Sequence, residues 1–309
     1  MRLSSLIILS LLFFPVQVVY GWSNGGYTNP SNPAIGTHDW IVEKAVALLP
    51  VSESTAFVDN MMWLKYGTEL PDRSQGQGGY GDTFNHHVYF NENRQVTDDA
   101  AATRANETYT GSLELFKNGN FSGAVMMAGA MSHYISDVAV WGHMMGADTP
   151  WGTEKHHQDY ESYVNEHMFL FKQSIALLWP LNRTSAYQAT LDLASDTMFN
   201  TPNATWMDFN YDWGNEQFKS RVSSSLNLAV NYVASVLHTL WLDAGQPIPE
   251  LPLPHIALII AIIIVLASRI PADLTKLKKR ETVRERVVYL LFLTTTTADE
   301  AAINPAKAR

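Results

Sequence analysis

The chain has 309 residues, 46% of them hydrophobic, 17% charged and 11% aromatic, enough for one large domain with further segments and too apolar for a disordered protein. It has no cysteine, which excludes disulfide scaffolds, thiolate zinc fingers and cysteine nucleophiles. A net charge of -9 argues against a general duplex-DNA binder, which must present a cationic face to phosphates.

Residues 1–21 read as a cleavable signal peptide. Arg2 supplies the positive start, Leu6 to Phe14 is nearly all apolar, and Val19 and Gly21 are small enough for the cleavage positions. Cleavage after Gly21 would make Trp22 the first residue of the mature chain. Four Asn-x-Ser/Thr sequons follow, at Asn106, Asn120, Asn182 and Asn203, a pattern compatible with export.

Residues 22–245 are expected to form a mostly helical ectodomain. Ile41, Val42, Ala45, Val46 and Leu49 make an apolar stripe at helical spacing. Further helices are expected over Gly123 to Val140, His157 to Leu178 and Ser220 to Trp241. Asn- and Gly-rich stretches near Ser23 to Gly36 and Asp72 to Thr83 read as loops. Beyond Gly245 the composition changes. Four prolines at 247, 249, 252 and 254 suggest a stalk over 246–254. The 18 residues between Glu250 and Arg269 carry no Asp, Glu, Lys or Arg. As a helix they would extend about 27 Å, close to a bilayer's hydrocarbon thickness. This predicts a transmembrane helix over 255–270 and a basic cytoplasmic tail over 271–309, where Lys276, Lys278, Lys279 and Arg280 cluster. The basic side would face the cytoplasm and the body would face outward. The fold class expected is thus all-α, a multi-helix ectodomain followed by one C-terminal transmembrane helix, in a single-pass protein of the cell membrane.

Seven of the ten histidines lie between residues 38 and 157. His133 and Asp137 are four apart, as are His157 and Glu161, and in a helix that spacing puts both side chains on one face, where each pair can grip one metal ion. His143 lies between the two pairs. His38 sits in Gly36-Thr37-His38-Asp39-Trp40, and His87 in the run Phe84 to Phe90. Imidazole and carboxylate without thiolate suit zinc and also permit manganese or iron.

These stretches, with Ser132 to Asp137 and His157-Gln158-Asp159-Tyr160-Glu161, resemble the zinc-dependent phospholipase C family, which shares a superfamily with single-strand-specific zinc nucleases. The resemblance covers residues 22 to 245. It implies about three zinc ions: one held by His87, His133 and Asp137; a second by His143, His157 and Glu161; a third by His38, by Asp137 as a bridge, and by the free amino group and carbonyl of Trp22. An α-amine has a reference pKa of about 7.7–8.0, so a cation displaces its proton near neutral pH at modest cost. That amine would exist only after signal cleavage. The resemblance makes Asp72 the general base or orienter of the attacking water, with the loop carboxylate Asp82 as its competitor, and it gives His86 no role. The loop around Asp72 departs from the family pattern by lacking its tyrosines, so no head group is implied.

The function implied is hydrolysis of a phospholipid to a diacylglycerol-type lipid and a phosphorylated head group, with phospholipid as substrate, the membrane as partner through the C-terminal anchor, and no duplex nucleic acid. Two other readings stand beside it: a single-strand nuclease or 3'-nucleotidase on the same site, and a non-catalytic, membrane-anchored binding protein with structural metals. Glu161 favours the phospholipase, since the nucleases typically have Asp there.

Overall fold

The computed structural model describes Trp22 and residues 35–245, all within one compact unit inside residues 1–249. The expected signal peptide, stalk, transmembrane helix and tail lie outside the described residues, as does most of the loop from Ser23 to Gly36.

The described residues are mainly helical, in agreement with the all-α expectation for the body. Helices α1 (Thr37–Ala47), α2 (Val51–Asp59) and α3 (Met61–Thr68) come first. A two-stranded antiparallel hairpin follows, β1 (Tyr89–Phe90) and β2 (Val96–Asp98). Then come α4 (Ala100–Lys117), α5 (Phe121–Asp137), α6 (His157–His167), α7 (Ala186–Phe199), α8 (Ala204–Phe209) and α9 (Glu216–Asp243). Short 3-10 turns form at Gln75–Gln77, Trp141–His143 and Met168–Ser174.

Helix α5 is the hub, packing against α1, α3, α4, α7 and α9. Its start is set by Asn120, whose side-chain oxygen accepts from Gly123 N at 3.1 Å, an N-cap that satisfies an otherwise unpaired amide. From Ala128 to Asp137 every residue is buried. Two glycines let α3 and α5 meet backbone to backbone. A Cβ on Gly67 would lie 1.9 Å from the Met126 carbonyl oxygen, and one on Gly129 would lie 2.1 Å from that of Leu64. That crossing brings the end of α3 beside His133. Helix α1 opens with the Asp39 carboxylate accepting from Gly36 N at 2.9 Å and from the Thr68 hydroxyl at 2.9 Å, which ties α1 to the same end of α3.

The helix expected over Gly123 to Val140 ends at Asp137, and residues 138–140 instead lead, buried, into the Trp141–His143 turn. The helix expected from His157 to Leu178 ends at His167. Helix α9 draws off the chain beyond it. Asn227 accepts from Ala176 N at 3.0 Å, Asn231 accepts from Leu178 N at 2.9 Å, and Thr239 accepts from Thr184 N at 3.0 Å. Pro180 also disfavours helical backbone just before it.

The single-pass membrane localisation expected from the sequence is corrected: among the described residues no helix is long and apolar enough to cross a membrane. The longest described helix, α9, has the length at 28 residues but is too polar. Its first turns carry Glu216, Lys219 and Arg221, and Asn227, Asn231, Ser235 and Thr239 line the face that bonds residues 176–184.

Candidate metal centre

The site is built on the C-terminal half of α5. His133 and Asp137 lie one turn apart, with His133 Nε2 3.0 Å from Asp137 Oδ2, and both are buried. His133 Nδ1 donates to the Thr68 carbonyl at 2.8 Å, which turns Nε2 toward the carboxylate. From α1, His38 stacks on His133 with ring centroids 4.1 Å apart. The Ser136 hydroxyl donates to the Ser132 carbonyl at 2.8 Å and so accepts from His38 Nδ1 at 2.8 Å. His38 Nε2 is therefore the lone-pair nitrogen, and it points at Asp137 Oδ1, 3.1 Å away.

A third imidazole reaches this carboxylate, and it is His86. Its Nδ1 lies 2.6 Å from Asp137 Oδ2 and 3.2 Å from His133 Nε2, while its Nε2 donates to the Asp82 carbonyl. Asp72 Oδ1 lies 3.6 Å from His133 Nε2 and 3.7 Å from His86 Nε2. His87, the residue singled out from the sequence, does not reach Asp137. Its Nε2 faces Asp98 at 3.1 Å and its ring stacks on Tyr89 at 4.2 Å. The physical reason is extended backbone, in which successive side chains point to opposite faces. His86, Val88 and Phe90 share the buried face, and His87 and Tyr89 share the other. The side chain of His86 is 7% exposed against 21% for His87. The alternation of Val88 and Phe90 was the sequence signal for choosing His86.

The second half of the site joins the Trp141–His143 turn to α6. His157 Nε2 lies 2.8 Å from Glu161 Oε1, and His143 Nε2 lies 3.5 Å from the same oxygen. Glu154 Oε1 stands 3.4 Å from His157 Nδ1, on the far side of the ring. Gly142 must be glycine here, because a Cβ would sit 2.4 Å from His157 Cγ and Nδ1. The two halves meet at Asp137, whose Oδ1 is 3.9 Å from His143 Nε2. Trp22 is buried beside His38, with ring centroids 6.0 Å apart, and lies 6.3 Å from the Tyr160 ring. Among the described residues three groups bring ligand atoms within 4.8 Å of one another: His38, His133 and Asp137; Asp72, His86 and His133; His143, His157 and Glu161.

The electrostatics fit a cation. Burial opposes charge on Asp137, but the surrounding His133, His38 and His86 hold its carboxyl well below the usual range. Burial pushes His38 and His143 down. Against burial, Asp137 and Asp72 raise His86 to about 9, and Glu161 and Glu154 raise His157 to about 10. A proton on His86 or on His157 would thus sit against a carboxylate. Even so, His38 Nε2, Asp137 Oδ1 and His143 Nε2 are buried without a hydrogen-bond partner. Buried polar atoms are seldom left so, and lone pairs aimed at one another are relieved by a shared positive ion.

A family model described as zinc dependent phospholipase C matches residues 37–227. No curated protein matches the chain. Among solved structures, the alpha toxin of Clostridium absonum superposes with a TM-score of 0.51 at 15% identity, over 73% of this chain and 67% of that one. The alpha-toxin of an avian strain of Clostridium perfringens gives 0.50 at 15% identity, over 68% and 64%. The chain thus spans about two thirds of the length of these neighbours, and the likeness is one of fold. The family match takes in all three groups of converging side chains, from His38 to Glu161, and more than half of the chain: this protein belongs to the zinc-dependent phospholipase C family.

Proposed function

We propose that this protein is a metal-dependent phosphodiester hydrolase, a phospholipase C that splits phospholipid into a diacylglycerol-type lipid and a phosphorylated head group. The observation that carries it is the convergence of buried imidazole and carboxylate atoms on Asp137, three of them lacking any hydrogen-bond partner, in a chain of this family.

Three zinc ions fit the donors. His86, His133 and Asp137 would hold one, with Asp72 beside them. His143, His157 and Glu161 would hold the second. His38, the bridging Asp137 and the amino group and carbonyl of Trp22 would hold the third, and the burial of the Trp22 ring against His38 supports this. Bound divalent cations lower the pKa of a coordinated water and neutralise the phosphoryl oxygens of a phosphodiester.

The chain's own groups do the rest. Asp72 orients the attacking water and takes its proton. Its side chain is 15% exposed, whereas those of His133 and Asp137 are fully buried, so it stands between the cluster and solvent. Asp82 is unsuited to that work, because its Oδ1 accepts from Asn85 and its Oδ2 from Arg104 and Tyr134. Thr68, Ser136 and Glu154 each take the outward nitrogen of one histidine, so that the inward nitrogen faces the cluster, an arrangement that fixes ring orientation.

Metal analysis of the purified protein, followed by parallel assays on phospholipid vesicles and single-stranded oligonucleotides, tests the reading. About three zinc ions and release of phosphorylated head group are expected. Cleavage of the oligonucleotide without lipid hydrolysis would overturn the substrate, and absence of bound metal would overturn the mechanism.

A further inference from the structure

His86 lies ahead of β1, outside any helix or strand, and although the alternating run turns it inward, something else must fix which of its nitrogens faces the cluster. Asp82 does. Its own carbonyl accepts from His86 Nε2, which leaves Nδ1 facing Asp137 and His133. Its Oδ1 accepts from Asn85 N at 3.2 Å and Asn85 Nδ2 at 2.8 Å, a side-chain turn that closes the backbone between residues 82 and 85. Its Oδ2 accepts from Arg104 Nε of α4 at 2.7 Å and from the Tyr134 hydroxyl of α5 at 2.9 Å. Its amide donates to the Pro71 carbonyl at 2.9 Å, next to Asp72. One residue therefore joins the loop carrying Asp72, the loop carrying His86, α4, and the turn of α5 that bears His133.

The clamp has support of its own. Burial would raise the Asp82 carboxyl, but the hydrogen bonds from Tyr134, Asn85 and Arg104 hold it below the usual range, so it stays an anion able to take four donors. The Arg104 guanidinium lies 5.4 Å from the Tyr134 ring centroid and also pairs with Glu107. The Tyr134 ring stands 5.2 Å from the His86 ring, so the residue that bonds Asp82 also limits how far the imidazole swings.

We propose that Asp82, held by Arg104 and Tyr134, is a positioning residue that locks His86 in the orientation and tautomer needed to hold a metal ion. This rests on the metal reading given under Proposed function. The role is confined to one of the three groups: the hydrogen bonds of Asp82 run to Pro71, Asn85, His86, Arg104 and Tyr134, none of which belongs to the group of His143, His157 and Glu161, so the second ion should not depend on it.

Stepwise removal of zinc from the purified full-length protein by a chelator, with residual metal counted, tests this. In Asp82→Ala one zinc is expected to leave about 10–100-fold more readily, the usual cost of losing a group that orients a ligand, while the others keep wild-type resistance. Arg104→Gln should act in the same direction and Tyr134→Phe more weakly. Glu107→Gln, at the far end of the guanidinium, should change nothing. Proton–nitrogen correlation spectra of the histidine rings in the zinc-loaded protein supply a readout that general destabilisation does not move: the His86 pattern should be a single tautomer in the wild type and lose that uniformity in Asp82→Ala. If Asp82→Ala fails to fold, Tyr134→Phe keeps ring volume and removes one hydrogen bond, so selective loss of one ion there still decides. Unchanged chelator resistance in folded Asp82→Ala, or loss of all ions together in every variant, overturns the proposal. A wild-type protein that takes up no zinc overturns the underlying metal reading instead, and needs no variant to show it.

Discussion

The two halves of the centre are assembled by different means. The half formed by His143, His157 and Glu161 is nearly local: a helix presents two ligands four residues apart, a 3-10 turn adds the third, and a glycine makes room for the ring. The half around Asp137 draws His38, Asp72, His86 and His133 from four separate stretches of chain. It depends on a glycine-to-glycine helix crossing and on backbone or hydroxyl acceptors that aim each imidazole. Local spacing is enough to build the first kind of group. The second needs the fold to bring its parts together, so it should be the easier to disturb from a distance.

Asp137→Asn should be the most damaging change, because this carboxylate faces His38, His86 and His133 and touches both halves. Bound zinc should fall below two ions and phospholipid hydrolysis by more than about 100-fold, beyond what loss of an orienting partner costs, as read by metal analysis and head-group release. A protein that keeps all its metal would mean the halves are not joined there.

Next comes the pair His86→Ala and His87→Ala. The first should cost one zinc and most activity; the second should leave metal content intact and change activity little. The reverse outcome would restore the reading drawn from sequence spacing. In the local half, Gly142→Ala sets a methyl against the His157 ring and should weaken one zinc by about 10-fold without affecting the ion near His86, which a chelator titration resolves.

The smallest effect is on stability without metal. His86 and His157 have folded-state pKa values of about 9 and about 10, above an unfolded value near 6.5. A raised histidine contributes stability below its unfolded pKa and loses it as pH rises through the folded one. The metal-free protein should therefore melt at lower temperature as pH increases from 7 to 10. The zinc-loaded protein should not follow that trend, because zinc takes the place of those protons. Parallel melting curves with and without chelator would show the divergence.

Much of this was legible in the residues. The i, i+4 pairs at His133–Asp137 and His157–Glu161 fall on helices, as their spacing requires. Helices α1, α5, α6 and α9 lie where apolar periodicity puts them, with errors at their ends. The largest of them, at the end of α6, has a distant cause: Asn227 and Asn231 on α9 bond the chain beyond it, and no pattern within residues 168–178 announces those partners. Helices α2, α3, α4, α7 and α8 and the hairpin were not anticipated individually. The structure turns His86 rather than His87 toward Asp137, and the two-residue alternation of Val88 and Phe90 is the sequence pattern that tells these adjacent histidines apart.

What the sequence determined by itself is the chemistry: a cysteine-free chain with imidazole and carboxylate pairs at helical spacing can hold hard or borderline cations, and periodicity places the helices that carry them. What the tertiary structure alone decided is which nitrogen of which histidine faces Asp137. That depends on the carbonyls of Thr68 and Asp82 and the hydroxyl of Ser136, whose positions follow from how helices and loops pack. A hydrogen bond on one side of an imidazole ring settles what the other side can do, and its partner need not be near in the chain.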